Sequence, residues 1–456
     1  MLCKENALTK ILYRFYDGYA YIFLCVLVSA IGVIFDYELV AAAVLIFLLS
    51  GQFFVLSDTG KMFYPVLFMV VTLMNVTGSD IALGAWLIAG AIPVFGGMIY
   101  NIVKQKKRLR KNKSIFSILA VSIAVSVGGI GSISSAEYFE LGNMYYVVFL
   151  GFGMLLLCTF LYVLWDGEDN EKLRAEFTDA LCYSGIFLAF VMLLYYLLNL
   201  SEFTKTLQIV EVLAHNPFRN VAVSYYLLTM PFAFYKSRQN AAYLLGGIFI
   251  YAACLISGSR MGLLFGSVEF LVCMVYFIII VKKRKWLYAT AFLIMLAAVV
   301  AMREELLYFY LGREEFDYGF INLGESRFEM FRRSVPDFLS NPVFGRGLGY
   351  TGNEDCYMPG SFEMNWYHNF ICQIVGSLGI VGILAYSYQF YVRLGLILEK
   401  PSPFGWLVCL MYMGAFLSSI TDTGIFTPFP TVFLLNCAFL MLGKADTKPR
   451  DAVELA

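Results

Sequence analysis

The chain has 456 residues, of which 60% are hydrophobic and only 14% charged, with 33 basic side chains balancing 33 acidic ones. Soluble domains carry roughly 25% charged residues. With a mean hydropathy of +0.72, the composition excludes a soluble enzyme, a disulfide scaffold and a disordered chain, and indicates an all-α polytopic integral membrane protein. The even charge gives no footprint for nucleic acid, and two histidines supply no histidine-rich metal site. The ten cysteines contain no CxxC pair. Most of them (Cys25, Cys158, Cys182, Cys254, Cys273, Cys372, Cys409 and Cys437) lie in apolar runs, where cysteine acts as a small apolar residue. That pattern argues against a structural zinc site or a disulfide framework.

The segment Met1–Asp17 is amphipathic and has no small-residue cleavage site behind an apolar core, so no signal peptide is expected. A bilayer core needs about 20 apolar residues of helix. By that measure spans are predicted near Gly18–Phe35, Leu39–Leu56, Met62–Gly78, Ile81–Val103, Ser114–Ile133 and Leu141–Trp165. Others follow near Ala180–Leu200, Asn220–Tyr235, Ala241–Ile256, Gly262–Val281 and Trp286–Met302, and the last near Asn369–Val392, Phe404–Ile420 and Ile425–Leu442. Twelve to fourteen transmembrane helices are expected, because the short second and third spans could merge or re-enter.

Orientation follows the Lys and Arg content of the short loops. The run Lys104-Gln-Lys-Lys-Arg-Leu-Arg-Lys-Asn-Lys113 is expected on the cytoplasmic side, and counting outwards puts both termini there too. The inner loop Asp166–Glu176 is acidic and fits less well. Three polar segments then fall outside: Ser201–Arg219, Ser257–Arg260 and the stretch Arg303–Tyr367. A connection as long as the last is usually functional. The organisation expected is N-terminal transmembrane helices over 1–200, central ones over 201–302, one long extracytoplasmic loop over 303–367, C-terminal helices over 368–443 and a cytoplasmic tail over 444–456.

Chemistry-bearing residues gather on that outer face. Arg260 sits between two apolar spans behind Gly258 and Ser259. A snorkelling interfacial arginine accounts for such a position, and so does an anion site in which the planar fork grips a phosphate. Glu325–Leu339 reads as an amphipathic helix carrying Arg327 and Phe331 on one face. Its Arg332 and Arg333 suit a helix resting on lipid headgroups. The turn Asn341-Pro-Val-Phe-Gly-Arg-Gly-Leu-Gly349 lacks a P-loop lysine, yet its glycines allow close backbone approach to a ligand. His368, in Tyr367-His-Asn369 at a helix entrance, is an acid/base candidate, since an imidazole can take a proton from a hydroxyl near neutral pH. His215 is a weaker one.

These motifs resemble the O-antigen ligase and O-antigen polymerase superfamily of bacterial membrane glycosyltransferases. Ser257-Gly-Ser-Arg-Met-Gly262 is similar to that family's S-G-S-R-x-x segment. Arg327 with Asn341-Pro-Val-Phe-Gly-Arg-Gly347 is similar to its R-x-x-x-W…P-x-x-G-x-G stretch, with Phe331 in place of Trp. His368-Asn369, nine residues and Gly379-Ile-Val-Gly382 fit its H-(N/S/Q)-x9-G-x-x-G signature. Asn216-Pro-Phe-Arg-Asn220 is similar to its asparagine-proline helix entry, but carries Phe218-Arg219 there. The likeness runs from Ala214 to Val392.

The resemblance implies a GT-C-like fold in the cytoplasmic (inner) membrane and metal-independent glycosyl transfer on its outer face, with no cofactor. The donor would be an undecaprenyl-diphosphate-linked oligosaccharide and the acceptor a glycan, with a flippase and a chain-length regulator as protein partners. Arg260, Arg327 and Arg219 would hold the diphosphate and His368 would act on the acceptor hydroxyl. Asn369, Tyr367, Trp366, Tyr350 and Arg332 would line the glycan. Polymerisation of surface-polysaccharide repeat units is the favoured activity. A ligase acting on a lipid or protein acceptor is the alternative, and a lipid-linked-oligosaccharide flippase or secondary transporter is the reading from another class.

Overall fold

The computed structural model describes residues 7–74, 81–132, 144–198, 219–280, 285–301, 303–304, 321–349, 367–399, 401–421 and 424–444. Of the expected features, His215, Tyr350, Trp366 and the tail beyond Lys444 lie outside them, as does about half of the long loop. Among the described residues the chain is helical throughout. Helices α1 to α5 span Ala7–Asp17, Tyr19–Ile34, Glu38–Val55, Phe63–Leu73 and Ile81–Gln105. Helices α6 to α9 span Lys113–Val127, Met144–Leu150, Phe152–Leu164 and Asn170–Leu198. Helices α10 to α13 span Arg219–Lys236, Ala242–Ile256, Arg260–Ile280 and Lys285–Ala301. The last four, α14 to α17, span Ile321–Ser340, Phe370–Glu399, Pro403–Thr421 and Phe433–Gly443.

Among the described residues six helical segments are long and apolar enough to cross a membrane, and a seventh results if α1 and α2, bent by 66°, count as one span. This is a multi-pass membrane protein. Other apolar segments form helices of 10–17 residues. The second and third expected spans stay separate, as α3 and α4. Glycine and proline set several of the breaks: α7 and α8 part at Gly151, and the last expected span is divided by Pro428 and Pro430 before α17.

The chain forms two compact units. The first joins residues 1–112, 158–194 and the end from Lys444. Inside it α3 packs on α2, α4 and α5, and polar side chains bridge the helices. Tyr21 donates to Gln52 Oε1 (2.8 Å), Ser29 and Thr72 bond at 2.7 Å, and Asn101 Nδ2 donates to Leu56 O (2.7 Å). The basic run is less solvated than a loop should be. Lys107 is 7% exposed and its Nζ lies 2.9 Å from Glu168 Oε1, while Arg110 pairs with Asp166 at 2.5 Å. Thr59 Oγ1 donates to Glu168 Oε1 (2.9 Å), and Lys444 Nζ donates to the Glu168 carbonyl (2.9 Å). Burial pushes the Glu168 carboxyl up, against the pull of Lys107, and pushes the Lys444 ammonium down to about 8. The acidic stretch that fits the orientation poorly is thus the partner of the basic run. From Asn170 onward it is already helix, not loop.

In the second unit, residues 113–157 and 195–443, α15 packs on α6 and α14, and α10 packs on α11, α12 and α16. Glu269, midway along α12, is fully buried with neither oxygen hydrogen-bonded, and its carboxyl packs where a side chain on Gly414 of α16 would sit. α15 is broken at Gly379 (φ 60°, ψ −152°), a region that only glycine enters without strain.

Candidate functional site

Two of the three expected motifs are a single structure. The turn Asn341–Gly347 docks into the break in α15 through backbone bonds. Arg346 N donates to Gly376 O (2.9 Å) and Gly347 N to Ser377 O (2.8 Å). In the other direction, Ile380 N donates to Pro342 O (2.9 Å) and Val381 N to Val343 O (3.1 Å). Only glycine allows it. A Cβ on Gly345 (φ 63°) would meet the Ser377 carbonyl carbon at 2.4 Å, and one on Gly379 would meet Pro342 O at 2.5 Å. The same turn is held by the residues that follow α6, where Gly129 N donates to Phe344 O (3.0 Å), and Asn341 Nδ2 donates to Ile130 O (2.7 Å). The glycines expected to bring backbone close to a ligand therefore bring it close to α15.

His368 is presented at the entrance to that helix. Asn369 caps α15, its Oδ1 accepting from Ile371 N (2.9 Å) and Cys372 N (3.2 Å), which satisfies free amides of the first turn. Its Nδ2 donates to Ile420 O at the end of α16 (3.0 Å). On the other side Tyr367 is buried, its N–H donating to Gln373 Oε1 (3.1 Å) and its hydroxyl to Asp337 Oδ2 on α14 (2.5 Å). With both neighbours fixed, His368 adopts a left-handed backbone (φ 49°), which histidine tolerates better than most residues. Its side chain is half-buried.

Around Asp337 lies a charge cluster that reading the sequence did not single out. Arg346 Nε is 3.7 Å from Asp337 Oδ1, and Arg333, one turn before Asp337 on α14, adds a second positive charge. Burial raises the Asp337 carboxyl above the ordinary aspartate range, opposed by the Tyr367 hydrogen bond and the two arginines. Arg333 Nη1 is buried, so this arginine turns into the protein rather than onto headgroups; Arg332 is exposed. The four-residue spacing of Arg333 and Asp337 was the available signal. Arg346 had none, since only the docked turn brings it there.

Of the three expected diphosphate ligands, Arg260 is the first residue of α12 and is exposed. Arg219 opens α10, and Arg327 lies in the first half of α14. The starts of α10 and α12 are tied together, because Ser259 Oγ donates to Asn220 Oδ1 (2.9 Å). The backbone of Arg219 and Arg260 is thereby placed at neighbouring helix N-termini. Gly258 (φ 70°) makes the turn between α11 and α12, with Ser259 N donating to Ser257 Oγ (3.2 Å). Among the described residues no three His, Cys, Asp or Glu side chains gather as metal ligands do.

No curated protein matches the chain. The family model described as O-antigen ligase matches residues 245–387, a stretch that takes in the Ser257–Arg260 turn, α14, the docked glycine turn and His368. By that domain the chain is similar to O-antigen ligases and polymerases, the superfamily its motifs resemble.

Proposed function

We propose that the protein transfers glycans from a polyprenyl-diphosphate-linked donor on the outer face of the cytoplasmic membrane, polymerising surface-polysaccharide repeat units. The observation that carries the reading is the His368 turn. A histidine is held in a left-handed conformation between a helix cap and a buried tyrosine whose hydroxyl bonds Asp337, the carboxylate that Arg333 and Arg346 flank. Such fixation suits a proton acceptor for the incoming hydroxyl. Arg260, Arg219 and Arg327 bind the diphosphate leaving group, where fixed positive charge and helix N-termini take up the developing negative charge. Arg346 and Arg333 extend this field towards His368. Tyr367 acts through its bond to Asp337 rather than by stacking on sugar, since its ring is buried. Asn369 likewise serves the helix cap, while Trp366, Tyr350 and Arg332 are left to the acceptor glycan.

The test uses purified protein with its own lipid-linked repeat unit as the only substrate. Polymerase activity lengthens the chains, whereas a ligase gives no product until a second acceptor is added. In His368→Ala, turnover should fall by ~10²–10⁴-fold, the span of general-base catalysis, with donor affinity unchanged. Normal turnover, or a loss confined to donor binding, refutes the base role.

A further inference from the structure

Beyond the matched family segment, α15 carries an arginine inside the apolar core of the second unit. Arg393 is 4% exposed. Its Nη2 donates to Asn436 Oδ1 on α17 (2.9 Å), and its guanidinium lies over the rings of Tyr412 (5.2 Å) and Phe439 (4.9 Å). No carboxylate among the described residues pairs with it. Glu399, on the same helix, is exposed and bound to Lys113 at 2.6 Å. An arginine keeps its proton under all ordinary conditions, and a buried charge lacking a counter-charge is strongly destabilising. Ring faces and one amide oxygen soften that cost without neutralising it.

Arg393 borders a cavity of about 20 Å³, lined also by Tyr386, Gln389 and Asn436 among apolar side chains from α6, α7, α8 and α17. Tyr386, Gln389 and Arg393 recur at i, i+3 and i+7, and so share one face of α15. Gln389 is 7% exposed and Tyr386 9%. Neither its amide nor the Tyr386 hydroxyl bonds to any described residue. Asn436 spends its oxygen on Arg393, which leaves its NH₂ as the group it can offer. The polar lining is therefore donor-rich, with a guanidinium, two amide NH₂ groups and a phenol O–H against one unspent amide oxygen, that of Gln389. That set is the complement of an anion. The volume holds about one water-sized particle, too little for a phosphate or carboxylate.

We infer that this cavity is a binding site for one monatomic anion, chloride in the cell, which supplies the counter-charge of Arg393. The site joins α15 to α17 and α6 well along the helix from His368, so it acts on the packing of the unit and not on glycosyl transfer.

The experiment uses the full-length protein in detergent, exchanged into gluconate buffer. Chloride or bromide then replaces gluconate at constant ionic strength. Thermal unfolding should shift upward and saturate with halide, as expected for a ligand bound only by the native state. Equilibrium dialysis with radiolabelled chloride should give one ion per chain. Arg393→Leu should abolish binding. If that variant does not fold, Gln389→Leu and Tyr386→Phe decide, each weakening halide affinity about tenfold or more, the worth of a hydrogen bond to a charged group. Absence of saturable halide binding in the wild type overturns the proposal. So does unchanged affinity in Gln389→Leu and Tyr386→Phe, or a bound phospholipid that halide does not displace.

Discussion

Gly379→Ala separates two views of the break in α15 by the sign of its effect. In a regular helix, alanine in place of glycine stabilises by ~0.5–1 kcal/mol. Here the residue sits at φ 60° and ψ −152°, and forcing a side chain into such a region costs ~1–3 kcal/mol. The new methyl would also lie 2.5 Å from Pro342 O, 2.7 Å from Val343 O and 2.8 Å from Gly345 N. Relief requires the turn to withdraw, which breaks the bonds Ile380 N to Pro342 O and Val381 N to Val343 O. At ~1 kcal/mol net for each, those two add ~2 kcal/mol, for a total destabilisation of ~3–5 kcal/mol. Equilibrium unfolding of the purified protein in mixed detergent measures it. Gly395→Ala is the internal control: on the same helix its Cβ would meet only Glu399 Oε1, at 4.0 Å, so it should be neutral or stabilising. A Gly379→Ala protein as stable as wild type would show that the docked turn does not depend on the glycine, and the argument would fail.

Three further outcomes are expected. With its native carboxyl raised above the unfolded value, Asp337 contributes stability that is full below the ordinary aspartate range and is lost as pH rises through the native value. Thermal melts between about pH 4 and 6 should therefore show a falling slope that Asp337→Asn flattens, and an unchanged slope refutes this. Lys107→Met should cost ~3–5 kcal/mol by stranding the buried Glu168, and adding Glu168→Met should recover much of it; a neutral single variant would mean the pair is solvated. Arg260→Ala should abolish glycosyl transfer with membrane insertion intact, and Lys should rescue only in part because it lacks the planar fork. Full activity of Arg260→Ala would leave Arg260 as an interfacial anchor.

Hydropathy located the apolar helices to within a few residues wherever the chain runs straight: Ala241–Ile256, Gly262–Val281 and Trp286–Met302 became α11, α12 and α13. It could not count full-length spans: the segments containing Gly151 and Gly379 are still long enough to cross, whereas Pro428 and Pro430 leave the last helix short without any change in composition. Charge was read as solvation, and there it misled. Lys107 and Glu168 look like loop residues until the fold buries them against each other. Arg393 is hidden for a simpler reason: the apolar run that marks the span stops at Val392, while the helix continues to Glu399. The amphipathic helix Glu325–Leu339 was legible from its periodicity and appears as the larger part of α14. Its link to His368 through Asp337 and Tyr367 was not, since the two residues are thirty apart and only the docking of α14 on α15 joins them.

That docking changes what the sequence motifs mean. A glycine-rich turn and a glycine behind a histidine look like two ligand-facing elements, each with its own contact to substrate. In the structure they are complementary halves of one joint, Gly345 clearing space for the Ser377–Leu378 backbone of α15 and Gly379 for the backbone of the turn. The joint fixes the end of α14 to α15, and the Asp337–Tyr367 bond fixes it again one residue before His368. Helix α14 carries Arg327 in its first half, so the rigid path from that arginine's backbone to the histidine runs through the glycines. Loss of transfer on substituting either glycine would then report displacement of α14 against His368, and not loss of a substrate contact. A turnover defect with proportionate loss of stability is the signature of that displacement. A contact residue such as Arg260, exposed at its helix start, should lose activity without losing stability.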